Sequence, residues 1–216
     1  MFGTHDLWLF VLSGLLLNIT PGPDTLYIVG RSSTQGWHGG AVAALGIGAG
    51  TLVHITAAAL GLSAILAASA TAFTVVKFIG AAYLLYVGVT LIRSAGQIRP
   101  SSAAAAVPPV VRPASMRGIF VQGFLTNVLN PKVALFFLAF LPQFVAADAS
   151  SKPLAFLLLG AIFDFNGTLW NLVVARSAAH LSSTLAPGAA FRRWFSRCVG
   201  GLFIFIGLRL ALVHEQ

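Results

Sequence analysis

Acidic side chains are almost missing from this sequence: five Asp and Glu stand against thirteen Lys and Arg in 216 residues. Charged residues of all types make up 8% of the chain, where a soluble domain carries roughly 25%. So few charges cannot cover a water-exposed surface of this size. Cysteine is reduced to Cys198, which excludes an intramolecular disulfide and a multi-cysteine metal or redox centre. The five His are scattered without metal-ligand spacing, so no metal and no cofactor is expected. A serine–histidine spacing is missing too, and with it the case for a membrane-embedded enzyme.

What is there instead is apolar, 57% of the chain, and lipid is the solvent that such a surface fits. A helical span needs about 20 mostly apolar residues. The apolar runs predict six: about Leu7–Val29, Gly40–Ala67, Phe73–Ile92, Gly118–Phe140, Pro153–Val174 and Phe195–Val213. The N-terminal MFGTHDLWLF has no positive leader region, so the first run reads as a retained span. The stretch 93–117, rich in Pro, Ser and Arg, reads as a solvated linker. The expected fold is therefore all-α: one polytopic membrane domain, with repeat one at 7–92, the linker, and repeat two at 118–213.

The net charge of +8 does not point to nucleic acid, because the basic residues cluster between apolar runs. Arg31 and His38 fall after the first run, Arg93, Arg99, Arg112 and Arg117 after the third, and Arg176, Arg192, Arg193 and Arg197 near the junction of the last two. The other side holds Lys77, Lys152 and Arg209. An excess of Lys and Arg marks the cytoplasmic side. Both termini are thus expected outside the cytoplasm, with the linker inside.

Two motifs interrupt the apolar runs. Asn18-Ile-Thr-Pro21-Gly22-Pro23-Asp24 lies in the first and Asn127-Val-Leu-Asn130-Pro131-Lys132 in the fourth. Each proline removes a helical hydrogen bond and pushes its predecessor out of helical geometry. The freed groups need partners or a wet cavity, and the bland alternative is a kink healed by neighbouring helices. Each motif opens a block of three spans. Three is odd, so the second block would sit upside down, and inverted repeats with matching broken helices point to a transport site near the midplane. Asp24, Lys132 and Asp164 are charges within apolar runs, each costing roughly 2.5–3.5 kcal/mol at mid-bilayer. An Asp24–Lys132 pair would lower that cost once the breaks bring the two to one depth. Asp164, Thr168 and Asn171 share one helix face. Asp164 has no evident basic partner and is a candidate proton carrier. His54 falls mid-span and could titrate or, as a lone intramembrane His more often does, hydrogen-bond between helices. Gly46 and Gly50 form a small-residue pair that lets helices approach closely.

The opening motif with Gly36 and the glycines from Gly39 to Gly50 resembles the start of the LysE/RhtB family of amino-acid exporters. Gly80-Ala-Ala-Tyr-Leu-Leu-Tyr-Val-Gly88, Gly123 through Lys132 to Phe144, and Gly200 to Ala211 are similar to its later spans. The resemblance covers nearly the whole chain. It implies amino-acid export from the bacterial cytoplasm across the inner membrane, driven by proton antiport. The substrate stays open among basic, hydroxylated and thiol-containing amino acids. The expected partners are an amino acid, protons and the lipid bilayer; a homo-oligomer is left open. The expected mechanism is alternating access. Lys132 and helix N-termini would meet the substrate carboxylate, and Asp24 or Asp164 its ammonium group. The alternatives are a metal-ion or other small-solute exporter of the same superfamily, or a non-transporting membrane assembly protein.

Overall fold

The computed structural model describes residues 2–62, 64, 70–97, 114–146 and 148–180, with isolated positions from 194 to 208. The centre of the expected linker, at 98–113, and most of the expected sixth span lie outside the described residues. So do the side chains of Lys77 and Tyr83. Every regular element among the described residues is helical, and one isolated antiparallel bridge joins Thr4 to Val145.

Helix α1, Leu7–Ile19, stops where Pro21 denies the next turn a donor, leaving Thr20 extended at φ −66°, ψ 117°. Gly22 is also extended, and Pro23 occupies the first position of α2, Pro23–Ala57, where its missing N–H costs nothing. The first expected run is therefore α1 plus the start of α2.

The second run follows with no loop between. Gln35 (φ −125°, ψ 15°) and Gly36 (φ 67°, ψ −166°) leave helical geometry and the helix resumes at once. That conformation at Gly36 is open to glycine and strained for other residues. Gly40 packs against the Ser32 side chain, although a straight helix would hold residues eight apart about 12 Å from each other. The chain thus doubles back into a first arm, 23–34, and a second arm, from 37 into a π-helical turn at Ala58–Leu62. Arg31, expected in a solvated junction, is within the first arm and only 5% exposed.

Helix α3 spans Ala70–Gln97 and α4 spans Met116–Val128. Ser115 caps α4 by accepting from the Gly118 N–H at 3.1 Å. Asn130 opens the short α5, Pro131–Leu135, which runs into a π-turn, Phe136–Phe140, and a 3-10 turn, Leu141–Phe144. The axis bends by 45° at the break between α4 and α5. Helix α6 is Lys152–His180, so Arg176, expected at a junction, is helical. Among the described residues, Pro23–Leu62 and Lys152–His180 are long and apolar enough to cross a bilayer, and the bent α4–α5 pair makes up to a third.

The second arm of α2 packs between α4 and α6 through glycines. A methyl at Gly46 would collide with the Phe120 carbonyl, and one at Gly50 would lie 2.8 Å from the Phe124 carbonyl oxygen. Gly48, turned the other way, would meet Thr168 Oγ1 at 2.7 Å. The small-residue pair expected to allow close approach does so against α4. Two apolar clusters hold the ends. Phe10, Phe136, Phe140, Phe156 and Phe163 belong to the larger, and Ile28, Ala43, Ile47, Ile119 and Ala175 to the smaller. Leu26, Leu129 and Phe165 stand on the outside, 67–76% exposed, as side chains facing acyl tails would.

Candidate functional site

Both backbone breaks open onto one cavity, about 480 Å³ of space with the adjoining open solvent included. Asn18, Gly22, Asp24, Asn127, Asn130, Lys132, Asp164 and Asn171, singled out in the sequence, all line it. Pro21, Pro23 and Pro131 are not on its wall; they make the breaks that bend the chain around it.

Lys132 is the centre of the arrangement. Its backbone N–H is capped by Asn130 Oδ1 at 3.0 Å, which fixes the first turn of α5. Its ammonium group then reaches back to α1, donating to the Leu17 carbonyl at 2.7 Å and the Thr20 carbonyl at 2.8 Å. These belong to the end of α1, where carbonyls lose their helical partners and negative partial charge accumulates. A single cation therefore stabilises the broken end of one half from the broken start of the other. Lys132 lies against Gly22, where a methyl would come 3.6 Å from Nζ.

Asp24 sits in the first turn of α2, where an N-terminal dipole favours a carboxylate. Its Oδ2 accepts from Asn127 Nδ2 at 2.9 Å, and it interacts electrostatically with Lys132. Asn127 is 2% exposed. Its Oδ1 accepts from Thr51 Oγ1 at 3.3 Å, so it ties the first arm, the second arm and α4 together. Two buried polar atoms of wall residues, Asp24 Oδ1 and Asn18 Nδ2, lack a hydrogen-bond partner within bonding distance among the described residues. One is an acceptor and the other a donor, which suits a ligand bearing groups of both kinds.

Asp164, Thr168 and Asn171 line the cavity from α6, with Thr168 Oγ1 donating to Asp164 Oδ1 at 3.5 Å. The helix face expected from their spacing is the one turned inward, while Phe165 turns out. His54 is not on the wall. Its Nε2 is 3.1 Å from the Asn127 carbonyl oxygen, and its ring stacks on Phe137 at 5.9 Å, which is the interhelical hydrogen-bonding arrangement.

Sequence reasoning missed the apolar part of the wall, Leu17, Ile47, Val133 and Phe163, together with Thr25 and Thr51. Apolar side chains in an apolar helix carry no signal of their own. Thr51 did carry one: it follows Gly48 by three residues, on a stretch of small residues that has to face another helix.

The matching family model is the LysE type translocator, over residues 15–214. An uncharacterized membrane protein of Pseudomonas aeruginosa is 33% identical over 220 residues, covering 97% of this chain and 96% of its own. The leucine efflux proteins of Salmonella typhimurium and of an Enterobacter strain are 24% and 25% identical, each covering 99% of this chain and 98% of their own. No solved structure matches the chain.

Proposed function

The chain belongs to the LysE type translocators, and we propose that it exports a small amino acid across the bacterial inner membrane by alternating access, in exchange for protons. The observation that carries this reading is the meeting of two broken helices around one cavity that holds Lys132, Asp24 and Asp164. A chain with so few acidic residues has two of its five in this one cavity. In the proposed full fold, six spans form two inverted three-span repeats, with both termini outside the cytoplasm. Asn18–Pro21 and Asn127–Pro131 are the equivalent breaks.

The substrate is held by its zwitterionic head. Its ammonium group meets Asp24 Oδ1, the acceptor left over in the cavity. Its carboxylate takes a donor from Asn18 Nδ2 and faces the positive charge of Lys132. Leu17, Ile47, Val133 and Phe163 offer an apolar wall to the side chain. That favours an aliphatic substrate of the kind named for the leucine efflux relatives. Asp164, on α6 and hydrogen-bonded by Thr168, is the proton carrier: protonation from outside and release inside would alternate its charge and its grip on Thr168.

The test uses inverted membrane vesicles with an imposed proton gradient and labelled amino acids, leucine first. Saturable, gradient-dependent uptake is expected. Asp164→Asn should leave substrate binding in place and remove the dependence on the gradient. Gradient-dependent transport by that variant would take Asp164 out of the role.

A further inference from the structure

We propose that the first arm of α2, residues 23–34, is a gate. It is latched to α4 through Tyr27, Arg31 and Gln35 and hinged at the two backbone breaks that bound it. The proposal rests on the transport reading above. The arm is a rigid helical piece between the extended Thr20–Gly22 segment and the Gln35–Gly36 reversal. Asp24, Tyr27, Arg31 and Gln35 recur at helical spacing, so they form one stripe. That stripe faces α4 along its length.

The contacts run from the cavity outward. Asp24 takes Asn127 at the cavity. Tyr27 Oη donates to the Ile119 carbonyl at 2.8 Å. Arg31 donates to Gln122 Oε1 at 2.7 Å and to Gln35 Oε1 at 3.3 Å, with its guanidinium 5.4 Å from the Tyr27 ring centroid. Gln35 closes the outer end, donating to the Ala114 carbonyl at 2.8 Å and accepting from its N–H at 3.1 Å. The seam therefore stands between the cavity and the end of the molecule where α4 begins.

The two ends of the cavity are closed by different chemistry. On the far side Phe163 stacks on Phe136 at 4.6 Å, Phe136 on Phe140 at 4.9 Å, and Phe140 packs on Phe144 at 4.8 Å. Parting those rings exposes apolar surface to water. Parting the seam exchanges hydrogen bonds for water, at small net cost, and it returns a buried guanidinium to solvent, which a charge favours. The seam is the side that yields first.

The experiment uses the full chain with Cys198→Ser, reconstituted in lipid vesicles, and a cysteine placed in the cavity by Thr25→Cys. A charged, membrane-impermeant thiol reagent is added from either side. The side of the seam is identified as the one from which Ser115→Cys, exposed at the start of α4, reacts. Arg31→Gln and Gln122→Ala should each speed labelling from that side about tenfold, as losing a hydrogen bond to a charged group would, and leave the other side unchanged. Gln122 is itself exposed, so its variant keeps the test open if Arg31→Gln does not fold. A short cleavable linker with two thiol-reactive ends, joining Gln35→Cys to Ala114→Cys, should stop labelling beyond its effect on Thr25→Cys alone, and cleaving it should restore labelling. Unchanged rates in well-folded variants, or a rise from the far side or equally from both sides, would overturn the gate. Labelling is read without substrate. Failure of the amino-acid reading would show instead in the uptake assay, with the labelling pattern intact.

Discussion

A lysine that caps a helix across a chain break does two jobs with one charge. Lys132 satisfies the carbonyls of Leu17 and Thr20, and in the proposed binding mode it also faces the substrate carboxylate. Lys132→Met should leave both carbonyls short of a partner, costing about 1–3 kcal/mol for each buried group left unsatisfied. A lowered melting temperature in detergent and export at background level are expected. Lys132→Arg should recover part of the stability but little export, because a planar fork does not replace a compact ammonium. Asn127 is the comparable case among neutral residues. Asn127→Ala removes partners from Asp24 and Thr51 and leaves Asp24 with less support in its buried place. Export should fall while the protein remains extractable and monodisperse on size exclusion, with a melting point a few degrees below the parent.

Among the elements, the tight reversal within α2 and the glycine contacts of its second arm make opposite predictions for the same change. At Gly36 there is no atom within 4 Å of an added methyl, but φ is +67°. Gly36→Ala should therefore cost about 1–3 kcal/mol of pure backbone strain. At Gly46 the backbone is ordinary helix but the methyl meets the Phe120 carbonyl, so Gly46→Ala must push α2 and α4 apart. Thermal melts should show both losses. Only Gly46→Ala should also change the reactivity of cysteines along the α2–α4 seam. The helix boundaries teach a related point. Arg31 looked like a junction charge because a loop was expected between two apolar runs. The reversal needs only Gln35 and Gly36 to leave helical geometry, so the helix carries Arg31 into the interior. The recurrence of Tyr27, Arg31 and Gln35 was the available sign.

At the scale of the whole molecule, the apolar exterior and the polar cavity divide the labour. Leu26, Leu129 and Phe165 are at least two-thirds exposed, which water would not tolerate in such number and lipid would. Polar groups are gathered instead where α1, α2, α4, α5 and α6 converge. In the proposed orientation the excess of basic residues marks the cytoplasmic end. A protease site fused to either terminus should be cut from outside intact spheroplasts, and one inserted within 98–113 should be cut only after lysis. Cutting of the terminal sites only after lysis would invert the proposed orientation.

Composition and the two proline motifs by themselves determined that this is a helical membrane protein and that its helices break at Thr20–Gly22 and before Pro131. Those are local properties: transfer of side chains to lipid and the missing N–H of proline act residue by residue. They also singled out most of the polar wall, because a charge or an amide in an apolar run has few other reasons to be there. Only the tertiary structure decided what meets what. Lys132 and the end of α1 are 112 and 115 residues apart in sequence, and no local rule pairs an ammonium with one carbonyl rather than another. The apolar wall and the buried place of Arg31 were decided there as well, since an apolar or basic side chain is assigned to cavity, core or surface by its neighbours in space.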